Sequence, residues 1–354
     1  MSATKILVIG PAWVGDMVMV QSLFIALKRQ DPNIMIDVVA PAWSAPVLAR
    51  MPEIRNVVEV NLQHGKLQFA ERYRVGKSLQ GEYDRAIILP RTFKSALIPY
   101  FAKIPTRTAY RGEMRYGLVN DMRELNTAVT YKAVEKYLYL ALEALPEASH
   151  DASQVTHALN AKPEIHYPKL SVDNDKRHRS ALRLGIDESA KSIAFMPGAE
   201  FGPSKQWPGK YFGELATRFK QQGYKVYVFG SPKDKVIGEE IAESSNGDAI
   251  NLCGQTNLEE AVDLLSLMQV AITNDSGLMH IAAAVGRPVV TIYGSITPKY
   301  TPPLTDKKEI QYLDLECSPC WKKQCPFGHY NCLNNIEVDS VFQSAQRLLK
   351  EVAT

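Results

Sequence analysis

An acid, a hydroxyl and a glycine follow one another in the segment Asn274-Asp275-Ser276-Gly277-Leu278-Met279-His280. The segment connects an apolar run at residues 270–273, which predicts a buried strand, with a helical pattern at residues 278–285. A helix N-terminus presents unpaired N–H groups and partial positive charge, which favour a diphosphate. Gly277 lets the backbone approach closely, Ser276 could donate to a phosphate oxygen, and His280 lies on the first helical turn. Asp275 fits a ribose contact or an ordinary helix cap, so capping is the alternative.

A second segment with phosphate-binding character is residues 197–208, Pro-Gly-Ala-Glu-Phe-Gly-Pro-Ser-Lys-Gln-Trp-Pro. A lysine that follows two glycines in a loop can reach a diphosphate while backbone amides bind the remaining oxygens. Lys205 is therefore a candidate for neutralising a departing nucleotide, and Ser204 could add a hydroxyl donor. An ordinary surface lysine is the alternative interpretation.

A third segment, Gly10-Pro11-Ala12-Trp13-Val14-Gly15-Asp16, follows the first apolar run of the chain. A carboxylate at Asp16 could take the proton from an attacking hydroxyl as a general base. The dipole of the helix expected from residue 17 would keep that carboxylate ionised. The alternative is that Asp16 caps this helix. Trp13 could form a wall against a sugar or belong to the core.

These segments lie between short apolar runs that alternate with helical patterns, at residues 5–10, 36–40 and 86–90, and again at 192–198, 225–230, 270–273 and 289–294. Such alternation predicts an α/β fold with doubly wound parallel sheets. The pattern fades near residue 146, and residues 146–175 are polar. We predict two Rossmann-like domains, 1–165 and 176–335, with a cleft between them. The final helix, within 336–354, could pack back on the first domain.

Together these segments resemble the lipopolysaccharide heptosyltransferases, glycosyltransferase family 9. Residues 10–16 are similar to the family's N-terminal loop, 197–208 to its donor-diphosphate loop, and 274–280 to its nucleotide-binding segment. Residues 111–117 and 301–304 resemble the branch that acts on an already heptosylated acceptor. The match runs nearly from end to end of the chain.

The resemblance implies a GT-B fold and a Gram-negative enzyme that transfers heptose from ADP-heptose with inversion. It also implies that domain 1–165 binds the acceptor and domain 176–335 the nucleotide-sugar. The implied acceptor is the first heptose of the inner core, on heptosyl-Kdo2-lipid A. No catalytic metal or other cofactor is implied. The resemblance also assigns Asp16 as the base and Lys205 as the cation at the leaving ADP.

Further site residues follow from the same resemblance. Some relatives place an acid that contacts the donor after the strand ending in glycine, and Asp234 occupies that position. Lys94 and Arg111 are candidates for binding phosphates or Kdo carboxylates of the acceptor. After Tyr293 the chain departs from many relatives, so either Ser295 or Thr297 supplies the hydroxyl expected there.

Length and composition indicate a soluble two-domain protein. The chain has 354 residues, of which 45% are hydrophobic and 22% charged; this composition is ordinary for a globular protein. No apolar run approaches the roughly 20 residues that span a bilayer. Because the N-terminus lacks a signal-peptide pattern, we expect a cytoplasmic location.

The net charge of +3 is unevenly distributed, because residues 65–115 contain eleven Lys and Arg but four Asp and Glu. One interpretation is a surface for an anionic partner such as phosphorylated lipid, which would place the protein transiently at the cytoplasmic face of the inner membrane. The other is solvated helix faces. An RNA-binding signature and a basic helix-turn-helix are missing from the sequence, so we expect no nucleic-acid partner.

Four cysteines and a histidine lie within residues 317–332, namely Cys317, Cys320, Cys325, His329 and Cys332. Zinc favours tetrahedral sulfur and nitrogen ligands, so a structural zinc site is one hypothesis. Packed free thiols, or a disulfide or cluster, are the alternatives, although a reducing cytosol disfavours disulfides. We expect this segment to lie away from the sugar chemistry, and Cys253 to be a core residue.

Three other functions are alternatives for a protein of this fold class: a sugar-nucleotide 2-epimerase, a non-catalytic nucleotide-sugar binder and a dehydrogenase. A sugar-nucleotide 2-epimerase would need additional acid and base carboxylates. A non-catalytic nucleotide-sugar binder would have no need for both Asp16 and Lys205. A dehydrogenase is disfavoured because residues 10–15 lack the middle glycine of the dinucleotide fingerprint.

Overall fold

The computed structural model describes residues 3–63, 65–125, 127, 130–141 and 163–353. The chain forms two compact units, Met1–Pro168 and Lys169–Thr354. Each unit contains a six-stranded parallel sheet with helices between its strands. The α/β class and the two Rossmann-like units are therefore as the sequence predicts.

The first sheet has the order β3-β2-β1-β4-β5-β6. Its strands are β1 (Lys5–Ile9), β2 (Met35–Pro41), β3 (Ile54–Val60), β4 (Arg85–Ile88), β5 (Thr106–Tyr110) and β6 (Asp121–Arg123). In the central register, Val8 lies between Val38 and Ile87, and all three are fully buried. Strand order reverses between β1 and β4, so the loops after their carboxyl ends diverge, which is where open parallel sheets bind ligands.

The helices of this unit are α1 (Val14–Gln30), α2 (Ala45–Leu48), α3 (Phe69–Ser78), α4 (Leu97–Phe101) and α5 (Ala133–Leu138). The prediction that α1 begins near Met17 is wrong. Trp13 is extended and forms the N-cap, so that the helix starts at Val14 and Asp16 lies in its first turn.

The second sheet repeats this winding, with the order β12-β11-β10-β7-β8-β9. Its strands are β7 (Ser192–Met196), β8 (Lys225–Val228), β9 (Ala249–Asn251), β10 (Val270–Asn274), β11 (Val289–Ile292) and β12 (Lys308–Gln311). Phe195 pairs with Ile272 at the reversal point between β7 and β10, and both are fully buried. Their apolar side chains fill the core of this unit.

The helices of the second unit are α6 (Asn174–Leu184), α7 (Gly209–Gln221), α8 (Lys235–Ser244), α9 (Leu258–Leu265), α10 (Gly277–Ala284), α11 (Asn331–Asn334) and α12 (Val338–Ala353). Helix α12 packs against α7, β10, β11 and β12. Its residues Val341, Ala345 and Leu348 belong to the core of the second unit. Its apolar face is thus used within this unit, and a contact with the first domain stays a prediction.

Among the residues that the structure describes, no helix combines the length and apolar character that a membrane span needs.

Candidate active site

The segment between β10 and α10 has the geometry of an open helix N-terminus. Ser276 is the N-cap residue with an extended backbone, and its side chain makes no capping hydrogen bond. Its hydroxyl lies 3.4 Å from the hydroxyl of Thr273. Because Ser276 does not satisfy the first N–H groups of α10, the ordinary capping interpretation is not supported, and the N-terminus keeps donors for an anion.

The structure brings Lys205 and Asp275 together. Lys205 Nζ lies 2.6 Å from Asp275 Oδ2, with side chains 14% and 6% exposed. The same ammonium lies 5.1 Å from the centre of the Phe201 ring. Burial raises the pKa of the Asp275 carboxyl, and the charge of Lys205 opposes that rise. The lysine is thus held beside the N-terminus of α10, where it can attract a diphosphate.

His280 is buried in the first turn of α10, one turn after Ser276. Burial, together with the nearby positive charge of Lys205, lowers the pKa of His280 to about 3. The imidazole is therefore neutral near pH 7. It can take part in hydrogen bonding to a nucleotide, but it adds no charge to the site.

Asn274 fixes the loop that carries Lys205, a role that the sequence analysis did not identify. Its Oδ1 accepts from the Trp207 backbone N–H at 3.1 Å, and its Nδ2 donates to the Pro197 carbonyl at 2.6 Å. Trp207 is itself buried, and its indole N–H donates to the Ile336 carbonyl at 3.1 Å. One fully buried amide thus ties both ends of the 197–207 loop to β10. An asparagine at the end of an apolar strand was the available signal, because a buried amide needs partners.

Asp234 lies against the beginning of the same loop. A Cβ added to Gly198 would lie 2.5 Å from the Asp234 carboxyl carbon, so this close approach requires glycine. One carboxylate oxygen of Asp234 accepts from the backbone N–H of Ser231 at 2.8 Å and from its hydroxyl at 2.7 Å. The acid is therefore held in place beside the donor loop, as a donor contact would require.

Ser204 is placed differently from the expectation of an available hydroxyl. It is buried, its hydroxyl lies 2.9 Å from that of Ser295, and it donates to the Lys322 carbonyl at 2.5 Å. Its backbone N–H donates to the Lys323 carbonyl at 3.3 Å. In this arrangement Ser204 holds the loop together internally, and its contact with a diphosphate stays a prediction.

The cysteine segment packs on the loops that carry Ser204 and Ser295. Its expected distance from the sugar chemistry stays a prediction. The Trp321 backbone N–H donates to the Ser295 carbonyl at 2.9 Å, and the Ser318 hydroxyl donates to the Gly294 carbonyl at 2.7 Å. The backbone of residues 318–323 thus closes over residues 204 and 294–295. Hydrogen bonds between segments more than 20 residues apart produce this placement, and local spacing gives no signal of it.

The four clustered cysteines are free and partly exposed, namely Cys317, Cys320, Cys325 and Cys332. Burial, reinforced by the three neighbouring thiols, raises the pKa of Cys332 to about 11. In the part of the chain that the structure describes, no group of three or more His, Cys, Asp or Glu is arranged to hold a metal ion. Cys253 is a buried core residue, as predicted, and burial raises its pKa to about 12.

Asp16 lies in the first unit, at the third residue of α1. Because Trp13 is the N-cap, the alternative that Asp16 caps the helix is wrong. The Tyr137 hydroxyl donates to Asp16 Oδ1 at 2.7 Å. Tyr137 comes from α5, which packs against α1 and whose start is held by the Glu135 carboxylate accepting the Lys132 N–H at 2.9 Å. The sequence analysis missed Tyr137 because 121 residues separate it from its partner.

The three acceptor-binding candidates occupy different settings. Trp13 is 53% exposed, which excludes its interpretation as a core residue. Lys94 Nζ donates to the Lys66 carbonyl at 3.2 Å. Arg111 pairs at 3.1 Å with the exposed Glu124. All three side chains therefore have at least partial access to solvent, and their contact with an acceptor stays a prediction.

Part of the basic surplus in residues 65–115 is structural. Arg115 is 1% exposed and donates to the carbonyls of Pro90 and Tyr110. Arg72 is also buried, and it donates to the carbonyls of Leu67 and Lys94. These two guanidinium groups stabilise loops after the strands, so they are unavailable to an anionic partner.

Two parallel six-stranded sheets of this winding, one in each unit, are the architecture of the GT-B fold. The model of glycosyltransferase family 9 (heptosyltransferase) matches residues 72–331. The chain belongs to this family.

Several relatives match nearly the whole chain. Lipopolysaccharide heptosyltransferase 2 of Salmonella typhimurium is 43% identical, over 98% of this chain and 99% of the relative. Lipooligosaccharide heptosyltransferase 2 of Haemophilus influenzae is 44% identical with the same coverage. The solved structure of Escherichia coli ADP-heptose lipopolysaccharide heptosyltransferase II has a TM-score of 0.85 and 39% identity, covering 99% of this chain and 100% of that one. These matches confirm the GT-B fold and the glycosyltransferase class, and they do not favour an epimerase or a non-catalytic binder.

Proposed function

We propose that this protein transfers L-glycero-D-manno-heptose from ADP-heptose to the first heptose of the inner core, on heptosyl-Kdo2-lipid A. The names and the 43–44% identity of the relatives that match the whole chain support this donor and this acceptor. The structural observation that carries the proposal is the buried pair of Lys205 and Asp275 at the open N-terminus of α10.

The donor diphosphate binds at this N-terminus in the proposed mechanism. As the glycosidic bond to the diphosphate breaks, negative charge develops on the leaving ADP, and a preorganised cation stabilises that charge. Lys205 supplies the cation, while the N–H groups of α10 and the Ser276 hydroxyl supply hydrogen bonds. Asp275 holds the lysine in position and is close enough to this end of the helix to contact the ribose.

The acceptor hydroxyl gives its proton to Asp16 as it attacks the anomeric carbon. The Tyr137 hydrogen bond to Asp16 Oδ1 fixes the orientation of the carboxylate. Because this hydrogen bond favours the ionised form, Asp16 is a weak base. It therefore accepts the proton late in the reaction, after the attacking oxygen has become acidic through bonding to the anomeric carbon. Inversion follows because the hydroxyl attacks the face opposite to the leaving ADP.

The remaining assigned residues have binding roles in this proposal. Three residues contribute to the donor site: Asp234 beside Gly198, Ser204 in the 197–207 loop, and His280 in the first turn of α10. Trp13, Lys94 and Arg111 contribute to the acceptor site, where an exposed aromatic ring and cations suit a sugar bearing phosphates and carboxylates.

We also propose that the enzyme is cytoplasmic and works transiently at the inner face of the inner membrane, because lipid A anchors its acceptor there. A structural zinc ion at the cysteine segment is a separate proposal, supported by the four thiols and one histidine within residues 317–332. In the part of the chain that the structure describes, these side chains are not arranged around a metal ion, so binding would require them to move. Metal analysis of purified protein, followed by thiol titration, tests it. Zinc well below one equivalent with four titratable thiols rejects the zinc site.

The first experiment is transfer from ADP-heptose to purified heptosyl-Kdo2-lipid A, with Kdo2-lipid A as the parallel acceptor and EDTA present. We expect product on the heptosylated acceptor alone. Product on Kdo2-lipid A instead would change the acceptor assignment to the first heptosyl transfer. The absence of product on either acceptor would contradict the donor or the reaction class.

A further inference from the structure

The outer side of α3 and α4 carries four neighbouring aromatic side chains. Phe69, Tyr73 and Tyr100 are between 44% and 52% exposed. Their rings all meet Phe101 edge-on, at centroid distances of 5.3, 5.1 and 5.6 Å. On the other side of α3, Val75 packs into the core. These four rings, here called the aromatic cluster, form an apolar surface that the fold leaves in contact with solvent.

Cations adjoin the aromatic cluster. The Arg107 guanidinium lies 5.9 Å from the centre of the Tyr100 ring. Lys77 is exposed on α3 one turn after Tyr73, so the two side chains lie on the same face. Lys103 is exposed directly after α4. The cluster is therefore bordered by positive charge from both helices and from the start of β5.

Acidic residues do not offset this charge locally. Glu71 is the acid of α3, and it is paired with Arg74 at 2.6 Å. Residues 97–107, which include α4 and Lys103, contain no Asp or Glu. The border of the aromatic cluster is consequently cationic. Arg72 and Arg115 do not contribute to this charge, because both are buried.

We propose that the aromatic cluster, with Lys77 and Lys103, docks this protein on the surface of an anionic phospholipid bilayer. Aromatic rings enter the boundary between headgroups and acyl chains, and Lys and Arg attract anionic headgroups while their stems cover apolar surface. This inference rests on the proposed function, because an acceptor anchored by lipid A is presented at such a surface.

A second copy of the chain fits this surface less well. A two-fold contact through the aromatic cluster would bring the same cations of both copies against each other. An anionic bilayer instead neutralises them. Charge complementarity therefore selects the lipid surface over self-association.

Vesicle co-sedimentation of the full-length protein tests the proposal. Vesicles of phosphatidylethanolamine with phosphatidylglycerol should bind the protein, more weakly as salt is raised, and vesicles of phosphatidylcholine should not. The charge variant K77Q/K103Q should bind the anionic vesicles about fivefold more weakly for each lysine removed. The aromatic variant F69S/Y100S should lose binding even at low salt.

Matched controls come from exposed positions of the second unit. Leu182→Ser changes an apolar side chain on α6 that is 76% exposed, and Lys220→Gln removes an exposed charge on α7. Both controls should bind vesicles like the wild type. Equal binding by wild type and the cluster variants, or no binding of the wild type to anionic vesicles, would overturn the proposal. Self-association that the F69S/Y100S variant abolishes, without a change in vesicle binding, would assign the surface to a second copy and overturn it too.

A transfer assay with a deacylated, water-soluble heptosylated acceptor separates this inference from the proposed function. The cluster variants should keep the wild-type rate there, which also shows that they are folded. A wild-type protein that binds anionic vesicles but transfers no heptose to this acceptor would contradict the proposed function alone. A wild-type protein that transfers heptose but does not bind anionic vesicles would contradict the docking surface alone.

Discussion

At the scale of single residues, the two groups assigned to catalysis differ in how they are held. Asp16 is positioned by a hydrogen bond from a distant helix, and Lys205 by a buried carboxylate. Residue types and local spacing left an alternative interpretation for each of them, and the resemblance to the family selected both side chains. Of their partners, Asp275 could be recognised from the sequence because it belongs to a phosphate-binding motif. Tyr137 could not, because no motif surrounds it. A contact between residues far apart in sequence depends on helix packing.

The Tyr137 hydroxyl leads to a prediction about the rate of transfer. Tyr137→Phe should lower kcat about tenfold with little change in donor KM, because a hydrogen bond to a charged group contributes ~1.5 kcal/mol. Steady-state kinetics measures both parameters. Tyr131→Phe, at an exposed tyrosine near the start of α5, is the control.

Asp16 itself should be far more sensitive than its partner. Asp16→Ala should cut kcat by about 10²- to 10⁴-fold, the usual contribution of a general base, and leave ADP affinity nearly unchanged. Turnover numbers from the heptosyl-transfer assay and ADP titrations by calorimetry provide the comparison. Turnover close to that of the wild type would remove Asp16 from the mechanism.

Lys205 should affect both donor binding and the chemical step. Lys205→Ala removes the cation at the leaving diphosphate, so kcat should fall about 10²- to 10³-fold and ADP-heptose should bind more weakly. The change also leaves the Asp275 carboxylate buried without its partner, which destabilises the site. Lys210→Ala, at an exposed lysine on α7, serves as the matched variant. An unchanged rate together with unchanged donor affinity would contradict the role of Lys205.

At the scale of elements, central strands were predictable and edge strands were not. β1, β2, β7, β8, β10 and β11 are continuous apolar runs because neighbouring strands and helices cover them. Edge strands such as β6 and β12 are partly exposed along most of their length, so their sequences carry no such run. β5 is internal, yet Thr106, Arg107 and Thr108 interrupt its apolar pattern. The start of α1 was misplaced for a related reason: Val14 and Gly15 look like loop until Trp13 is seen to be the cap.

The loop that carries Lys205 is tied to β10 by the amide of Asn274, and the strength of this tie can be tested. Asn274→Ala leaves the Pro197 carbonyl and the Trp207 N–H buried without partners, a loss of about 1–3 kcal/mol in unfolding free energy for each group. ADP affinity should fall as well, because the loop no longer holds the lysine. Asn274→Asp keeps the acceptor for the Trp207 N–H and loses the donor to the Pro197 carbonyl. Its ADP affinity should therefore lie between that of the wild type and that of Asn274→Ala. Urea unfolding and ADP titration measure these effects, and a wild-type affinity in Asn274→Ala would show that the loop is held by other contacts.

At the scale of the whole molecule, two copies of one topology carry different chemistry. Both sheets reverse strand order at their centre, and in both the assigned residues follow the carboxyl ends of strands at or next to the reversal. In the second unit the assigned residues Asp275 and His280 are buried, whereas in the first Trp13 and Arg111 are exposed. Buried ionisable groups make the stability of the second unit dependent on pH, and exposed ones do so much less.

His280 gives this dependence a direction. Its pKa of about 3 in the folded protein lies below the ordinary value of 6.5, so the folded state keeps it neutral while the unfolded state protonates it. The unfolded state therefore binds more protons between these values, and unfolding free energy falls as the pH is lowered from about 6.5 towards 3, at up to about 1.4 kcal/mol per pH unit. His280→Gln should flatten this part of the stability profile, whereas His178→Gln, at an exposed histidine of the same unit, should not. Urea unfolding at several pH values between 4 and 7 measures the slopes, and identical slopes for wild type and His280→Gln would mean that His280 is accessible to protons in the folded state.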